Sequence, residues 1–236
     1  MKETSVRSAT LRDLSAADVG PLDRGETSPL TAGNRAYYEN YWSSDTAPPD
    51  EDPLTEERVK RFLGSLDSPQ SILDLGCGSG RGTRLLNGSG RRVVGLDISY
   101  RALHRASELG KNGTYLQAAC DAPLPFASNS FDAAYSAEVI EHLLDPRAMI
   151  MECYRVLKPG GILFVTTPYH GLIKNLIIAA TAFDRHFSAT GSHIRFFTVS
   201  SLCRLLVTNN FSIERIFYLG RFWPVWMNMA VDARKL

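Results

Sequence analysis

From Ser71 onward, apolar positions fall into short continuous runs separated by amphipathic stretches. Ile72–Leu75, Val93–Asp97 and Thr114–Gln117 read as buried strands, and the segments between them, near Thr83–Leu86 and over Tyr100–Leu109, carry helical spacing. This βαβαβ pattern calls for a parallel sheet with helices on its faces. Phe131–Ser136 is a fourth strand, Arg147–Leu157 a helix, and Gly161–Thr167 a fifth strand behind the turn Lys158-Pro159-Gly160-Gly161. A helix over Val199–Asn209 and two extended runs, Phe211–Leu219 and Val225–Val231, complete the domain. In the last run, strand alternation puts Val225, Met227, Met229 and Val231 on one face, as core residues.

Upstream the pattern changes. Residues up to Gly33 are rich in Ser, Thr, Asp and Gly without a sustained period, which predicts a mobile arm. An aromatic cluster, Tyr37, Tyr38, Tyr41 and Trp42, precedes a Pro/Asp-rich linker (Pro48, Pro49, Asp50, Asp52, Pro53), and a helix follows over Leu54–Leu66. The expected organisation is an arm over 1–33, a helical cap over 34–66 and an α/β domain over 67–236, with a lid-like insertion at 171–197.

Composition narrows the function classes. A chain of 236 residues with 44% hydrophobic positions closes a core unaided. Its 26 Lys and Arg against 25 Asp and Glu leave a net charge of +1, which argues against a nucleic-acid partner held through its phosphates. Cys77, Cys120, Cys153 and Cys203 are too widely spaced for a C-x-x-C site, as in a reducing compartment. The longest apolar run, Leu172 to Phe183, is too short to span a bilayer and contains Lys174. With no targeting pattern near the N-terminus, a cytoplasmic protein is expected.

The chemistry concentrates at strand ends. Asp74-Leu75-Gly76-Cys77-Gly78-Ser79-Gly80 lies where the first strand runs into a helix, so backbone without Cβ atoms meets a ligand at the carboxyl edge of the sheet. A dinucleotide fingerprint starting at Gly76 requires glycine at 81, which is Arg81. The carboxylate of Asp74 suits an ammonium group better than a pyrophosphate. Asp97 ends the second strand about 20 residues on, where an acid accepts both ribose hydroxyls.

Taken together, Asp74 to Gly80, Gly95-Leu96-Asp97-Ile98-Ser99, Asp121-Ala122-Pro123-Leu124-Pro125-Phe126, Phe131-Asp132 and Leu157-Lys158-Pro159-Gly160-Gly161 resemble the class I S-adenosylmethionine (SAM) methyltransferases over residues 71–167. The resemblance implies a Rossmann-like α/β fold with a seven-stranded mixed sheet of order 3-2-1-4-5-7-6, the last strand antiparallel. It implies SAM held by Asp74, Gly76, Cys77, Gly78, Gly80 and Asp97. Asp121 then meets the adenine amino group, Ile98 and Ala122 frame the ring, and Ala137 lies beside the sulfonium; from the aromatic cluster, Tyr37, Tyr38, Tyr41 or Trp42 is placed to close over the cofactor and face its positive sulfur.

The acceptor side follows the fourth strand. Glu138, Glu141 and His142 stand at i, i+3 and i+4, on one face of a helical turn, and His142 is placed to take a proton from an acceptor hydroxyl. This E-x-x-E-H run, followed by an apolar insertion ending near His193, is similar to the ubiquinone-biosynthesis O-methyltransferases. Glu138, Glu141, His142 and His193 also form a candidate site for Mg²⁺, Mn²⁺ or Zn²⁺. In the insertion, Leu172, Leu176, Ala180 and Phe183 form an apolar stripe that suits a lid over a hydrophobic acceptor, an interfacial helix on a membrane, or a plain core helix. The leading expectation is methyl transfer to a hydroxyl of a small hydrophobic or aromatic molecule. Its alternatives are N- or C-methylation, metal-dependent 2′-O-methylation of RNA 3′ ends, and an inactive SAM-binding subunit. Oligomeric state stays open.

Overall fold

The computed structural model describes residues 29–43, 52–67, 71–110, 113–187 and 191–236. The expected arm before Pro29 and the linker residues Pro48, Pro49 and Asp50 lie outside these. Helix α1 (Pro29–Ser43) begins within the span expected to be arm and carries the aromatic cluster. It is followed by α2 (Thr55–Leu63), β1 (Ser71–Leu75), α3 (Arg81–Asn87), β2 (Arg92–Asp97), α4 (Tyr100–Leu109), β3 (Thr114–Gln117) and β4 (Phe131–Ala137). Beyond a 3₁₀ turn at Ile140–His142 come α5 (Pro146–Val156), β5 (Leu157–Pro168), α6 (Leu172–Thr181), α7 (Phe183–His186), α8 (Val199–Val207), β6 (Phe211–Leu219) and β7 (Asn228–Lys235).

The seven strands form one sheet of order β3-β2-β1-β4-β5-β7-β6, with β7 antiparallel to both of its neighbours and every other pair parallel. This is the Rossmann-like order implied by the resemblance. Because both faces are covered, β1 is buried at all five positions. On one face Phe62 of α2 packs against the stacked pair Tyr135 and Phe164, whose centroids lie 5.5 Å apart. On the other, Leu73, Leu75 and Val165 pack with Met149 and Cys153 of α5 and Leu202 and Leu206 of α8.

Two expectations require correction. The last strand starts at Asn228 rather than Val225, because Asn228 is the first residue to pair with both Pro168 and Leu219. Residues 220–227 are the connecting loop, so Met227 is 41% exposed, whereas Met229 and Val231 are fully buried. The apolar insertion is not a core helix: α6 buries no residue, and Leu172, Leu176 and Phe183 are 75%, 61% and 55% exposed. No helix among the described residues is long and apolar enough to cross a membrane.

Candidate active site

The carboxyl ends of β1, β2 and β4 meet where the strand order turns back, and a cavity of about 360 Å³ opens there. That crevice is the general ligand position in sheets of this kind. Its floor is the turn from β1 into α3, where Gly76 and Gly78 hold φ of +69° and +53°. A Cβ at Gly76 would lie 2.3 Å from Val139 Cγ2, and one at Gly78 would lie 3.0 Å from the Trp42 ring. Gly80 backs instead onto Tyr115 and Ala106, and neither it nor Ala122 lines the cavity. Cys77, Ile98, Asp121, Ala137 and Tyr41 do, joined by Tyr38 and Trp42 from α1.

The two acids read from the strand ends both line the cavity and are nearly buried. Asp97 accepts the Gly78 N–H and the Ser99 N–H, each at 2.9 Å, one on each oxygen. Burial pushes its pKa up to about 6 against those hydrogen bonds. Asp74 accepts the Thr83 hydroxyl at 2.6 Å, and burial pushes it up to about 7. Asp121 accepts the Asp145 N–H at 3.4 Å.

Arg58 is a site residue that sequence reasoning missed. It is 4% exposed, lines the cavity, and pairs with Asp52, while its second terminal nitrogen reaches Asn228 Oδ1 at 3.2 Å. Its Nε is buried without a partner among the described residues. The available signal was position: Arg58 shares the buried stripe of α2 with Val59 and Phe62, where an aliphatic residue is ordinarily expected.

The structure separates the E-x-x-E-H residues expected on one face. Glu138 has φ +58°, in the left-handed region, so no helical turn starts there and only Ile140–His142 coils. Its carboxylate accepts the Thr166 hydroxyl at 2.8 Å and an Asn228 amide N–H, and lies 3.7 Å from Arg58. Glu138 thus orients Arg58 and is not grouped with the other candidate ligands. Glu141 is 1% exposed with both carboxylate oxygens unpartnered among the described residues, and burial holds its pKa well above the carboxylate range. Its backbone carbonyl accepts the Ile194 and Arg195 N–H groups at 3.1 Å, which brings His193 beside His142 with ring centroids 4.7 Å apart. The Nδ1 of His142 lies 2.9 Å from the Ser192 carbonyl, so Nδ1 carries the proton and Nε2 is left as an acceptor 3.9 Å from Glu141. Burial pushes His142 down to about 4. One ligand atom from each of Glu141, His142 and His193 lies within 4.8 Å of the others.

Residues 73–165 match the model of a methyltransferase domain. A probable S-adenosylmethionine-dependent methyltransferase of Mycolicibacterium smegmatis is 31% identical over 177 residues, 75% of this chain and 61% of that one. Over this span the chain is similar to the class I S-adenosylmethionine-dependent methyltransferases. The mouse mitochondrial ubiquinone biosynthesis O-methyltransferase is 35% identical over 123 residues, 49% of this chain and 33% of that one. The 1,6-didemethyltoxoflavin-N1-methyltransferase of Burkholderia thailandensis, solved with its substrate and S-adenosylhomocysteine, shares the fold with a TM-score of 0.69 at 17% identity, covering 92% of this chain and 94% of that one. This chain spans about three fifths of the length of the M. smegmatis relative and a third of the mouse one. Asp52, Asp74, Asp97, Asp121 and Glu138 line the cavity together with Arg58 and Arg81.

Proposed function

We propose that this methyltransferase transfers a methyl group from SAM to a hydroxyl oxygen of a small hydrophobic or aromatic molecule. The observation that carries the reading is one continuous cavity running from Asp74, Gly76 and Asp97 to His142, Leu143 and Ser192. Bound there, SAM supplies a methyl group already activated on sulfur. Asp97 accepts the ribose hydroxyls, Asp74 takes the ammonium group, and Arg58 faces the carboxylate at the same end. Tyr41 and Trp42 exclude water and offer aromatic faces to the positive sulfur. The acceptor loses its proton to His142 Nε2 as its oxygen gains the methyl group. The reading is tested by calorimetry with S-adenosylhomocysteine, followed by mass-shift assays on phenols, aliphatic alcohols, amines and short RNA. Absence of cofactor binding, or methylation of amines or RNA alone, would overturn it.

The Glu141, His142 and His193 cluster favours a second reading, a divalent metal beside the acceptor, in which His142 Nε2 would be a ligand and not the base. A buried carboxylate without a hydrogen-bond partner and two imidazoles held neutral by burial are suitable donors. A metal held by Glu141, His142 and His193 would lower the pKa of an acceptor hydroxyl. Zn²⁺ or Mn²⁺ fits a two-His, one-Glu set better than Mg²⁺. Metal analysis after exhaustive chelation and reloading, on wild type and His193→Ala, checks the site. Activity undiminished by chelation and equal metal uptake by both proteins would eliminate it. The exposed face of α6 serves as a lid over the acceptor or as a membrane contact in the same proposal.

A further inference from the structure

Helix α1 walls the cavity through Tyr38, Tyr41 and Trp42, yet none of its described side chains is buried. These contacts with the cavity are aromatic. Trp42 lies against Gly78, and Tyr38 meets His142 edge-on at 6.2 Å between centroids. Such a helix, with little apolar burial of its own, belongs to the low-stability end of a fold. Among the described residues, Glu39 gives it a polar anchor on the body of the domain.

Glu39, the only carboxylate in α1, reaches the start of α4. One oxygen accepts the Tyr100 N–H at 2.7 Å and the Gln117 amide at 3.4 Å. The other accepts the Ser99 hydroxyl at 3.1 Å and the Arg101 N–H at 3.2 Å. Tyr100 and Arg101 open α4, so their N–H groups lack partners within the helix and form its positive end. The same contacts lead back to the cofactor site. Ser99 gives its backbone N–H to Asp97, and Gln117 donates to the Ile98 carbonyl at 3.0 Å. Glu39 itself does not line the cavity.

We infer that Glu39 is the latch that keeps α1 closed over the cofactor, a positioning residue that sets how long the cofactor stays bound rather than how fast the methyl group moves. The inference rests on reading the cavity as a SAM site. A ligand walled in by Tyr38, Tyr41 and Trp42 enters and leaves when α1 swings away, and opening must break all four Glu39 hydrogen bonds, two of them to a helix N-terminus. An ionised acceptor makes these bonds stronger than an amide would. Replacing Glu39 with Gln keeps the shape and one acceptor oxygen while removing the charge. Replacing it with Ala removes the latch.

The experiment compares wild type, Glu39→Ala and Glu39→Gln by hydrogen exchange without ligand and by S-adenosylhomocysteine binding and release. In Glu39→Ala, amides of residues 33–43 should exchange about tenfold faster or more, and cofactor release should accelerate by a similar factor. Glu39→Gln should fall between the two. KM for SAM should rise while kcat at saturating SAM stays within about twofold. Equal α1 exchange in all three proteins would overturn the latch. A fall in kcat with KM unchanged would also overturn it, by placing Glu39 in the chemistry. Exchange in the unliganded protein reads the latch even if wild type fails to bind S-adenosylhomocysteine, an outcome that would refute the cofactor reading instead. Should Glu39→Ala not fold, Glu39→Gln and Gln117→Leu, each removing part of the same contacts, must both loosen α1.

Discussion

Cofactor affinity should depend steeply on pH, because the two acids proposed to hold SAM are protonated more readily than ordinary carboxyls. Burial raises Asp74 to about 7 and Asp97 to about 6 in the unliganded protein. An ammonium group and ribose hydroxyls bind the ionised forms, so cofactor binding releases protons whenever the pH is below these values. Treating the sites as independent, affinity scales inversely with the product of (1 + 10^(7−pH)) and (1 + 10^(6−pH)). Between pH 8 and pH 5 that product grows roughly a thousandfold, and a one-unit error in either value still leaves a factor on the order of a hundred. The slope of log affinity against pH should approach two near pH 5, pass through about one between 6 and 7, and flatten above 8. Asp97→Asn should remove one proton from the slope as well as weaken binding at pH 8. The sign for stability runs the other way. Both acids are raised above their unfolded value near 3.8, so the folded chain holds extra protons between about pH 4 and 7. Their contribution to unliganded stability is therefore full below that window and is lost as pH rises through it. Calorimetry of S-adenosylhomocysteine from pH 5 to 8.5, in buffers of different ionisation enthalpy, measures both affinity and proton release. An affinity that is flat over this range, or no proton release at pH 6, would refute the assignment of Asp74 and Asp97.

Other outcomes follow from individual contacts. Arg58→Ala should weaken S-adenosylhomocysteine by about 1.5–3 kcal/mol and leave 5′-methylthioadenosine, which lacks the carboxylate, nearly unaffected; paired calorimetric titrations check this. Phe62→Ala removes a fully buried ring from against Tyr135 and Phe164 and should cost about 3–5 kcal/mol in urea unfolding, with weaker cofactor binding because the same helix carries Arg58. Gly76→Ala combines a left-handed backbone with a Cβ placed on Val139 and should cost about 2–4 kcal/mol, again read by urea unfolding.

The strands and helices of the α/β domain were legible because local signals agreed with one another. Tyr100–Leu109, Thr114–Gln117 and Phe211–Leu219 have the bounds their periodicity predicts. That Asp74, Gly76, Gly78 and Asp97 line one cavity was legible for a related reason: they sit at strand ends within one βαβ unit, so spacing along the chain already fixes their neighbourhood in space. The start of β7 was not legible, since pairing across the sheet and not alternation decides where Asn228 begins to bond. The acceptor side depended on tertiary structure almost entirely. Spacing put Glu138, Glu141 and His142 on one helical face, but a single left-handed residue at Glu138 sends its carboxylate to Arg58, Thr166 and Asn228, up to 90 positions away. Glu39 carried no local mark of function, and Arg58 only its place in the apolar stripe of α2, for the same reason. Their roles consist of partners at Asp52, Glu138 and Asn228, and at Ser99, Tyr100, Arg101 and Gln117, which meet them only once helices α1 and α2 dock on the sheet. The amino-acid sequence determined the sheet and the cofactor edge through short-range periodicity, and long-range packing decided which charged groups face one another across the cavity.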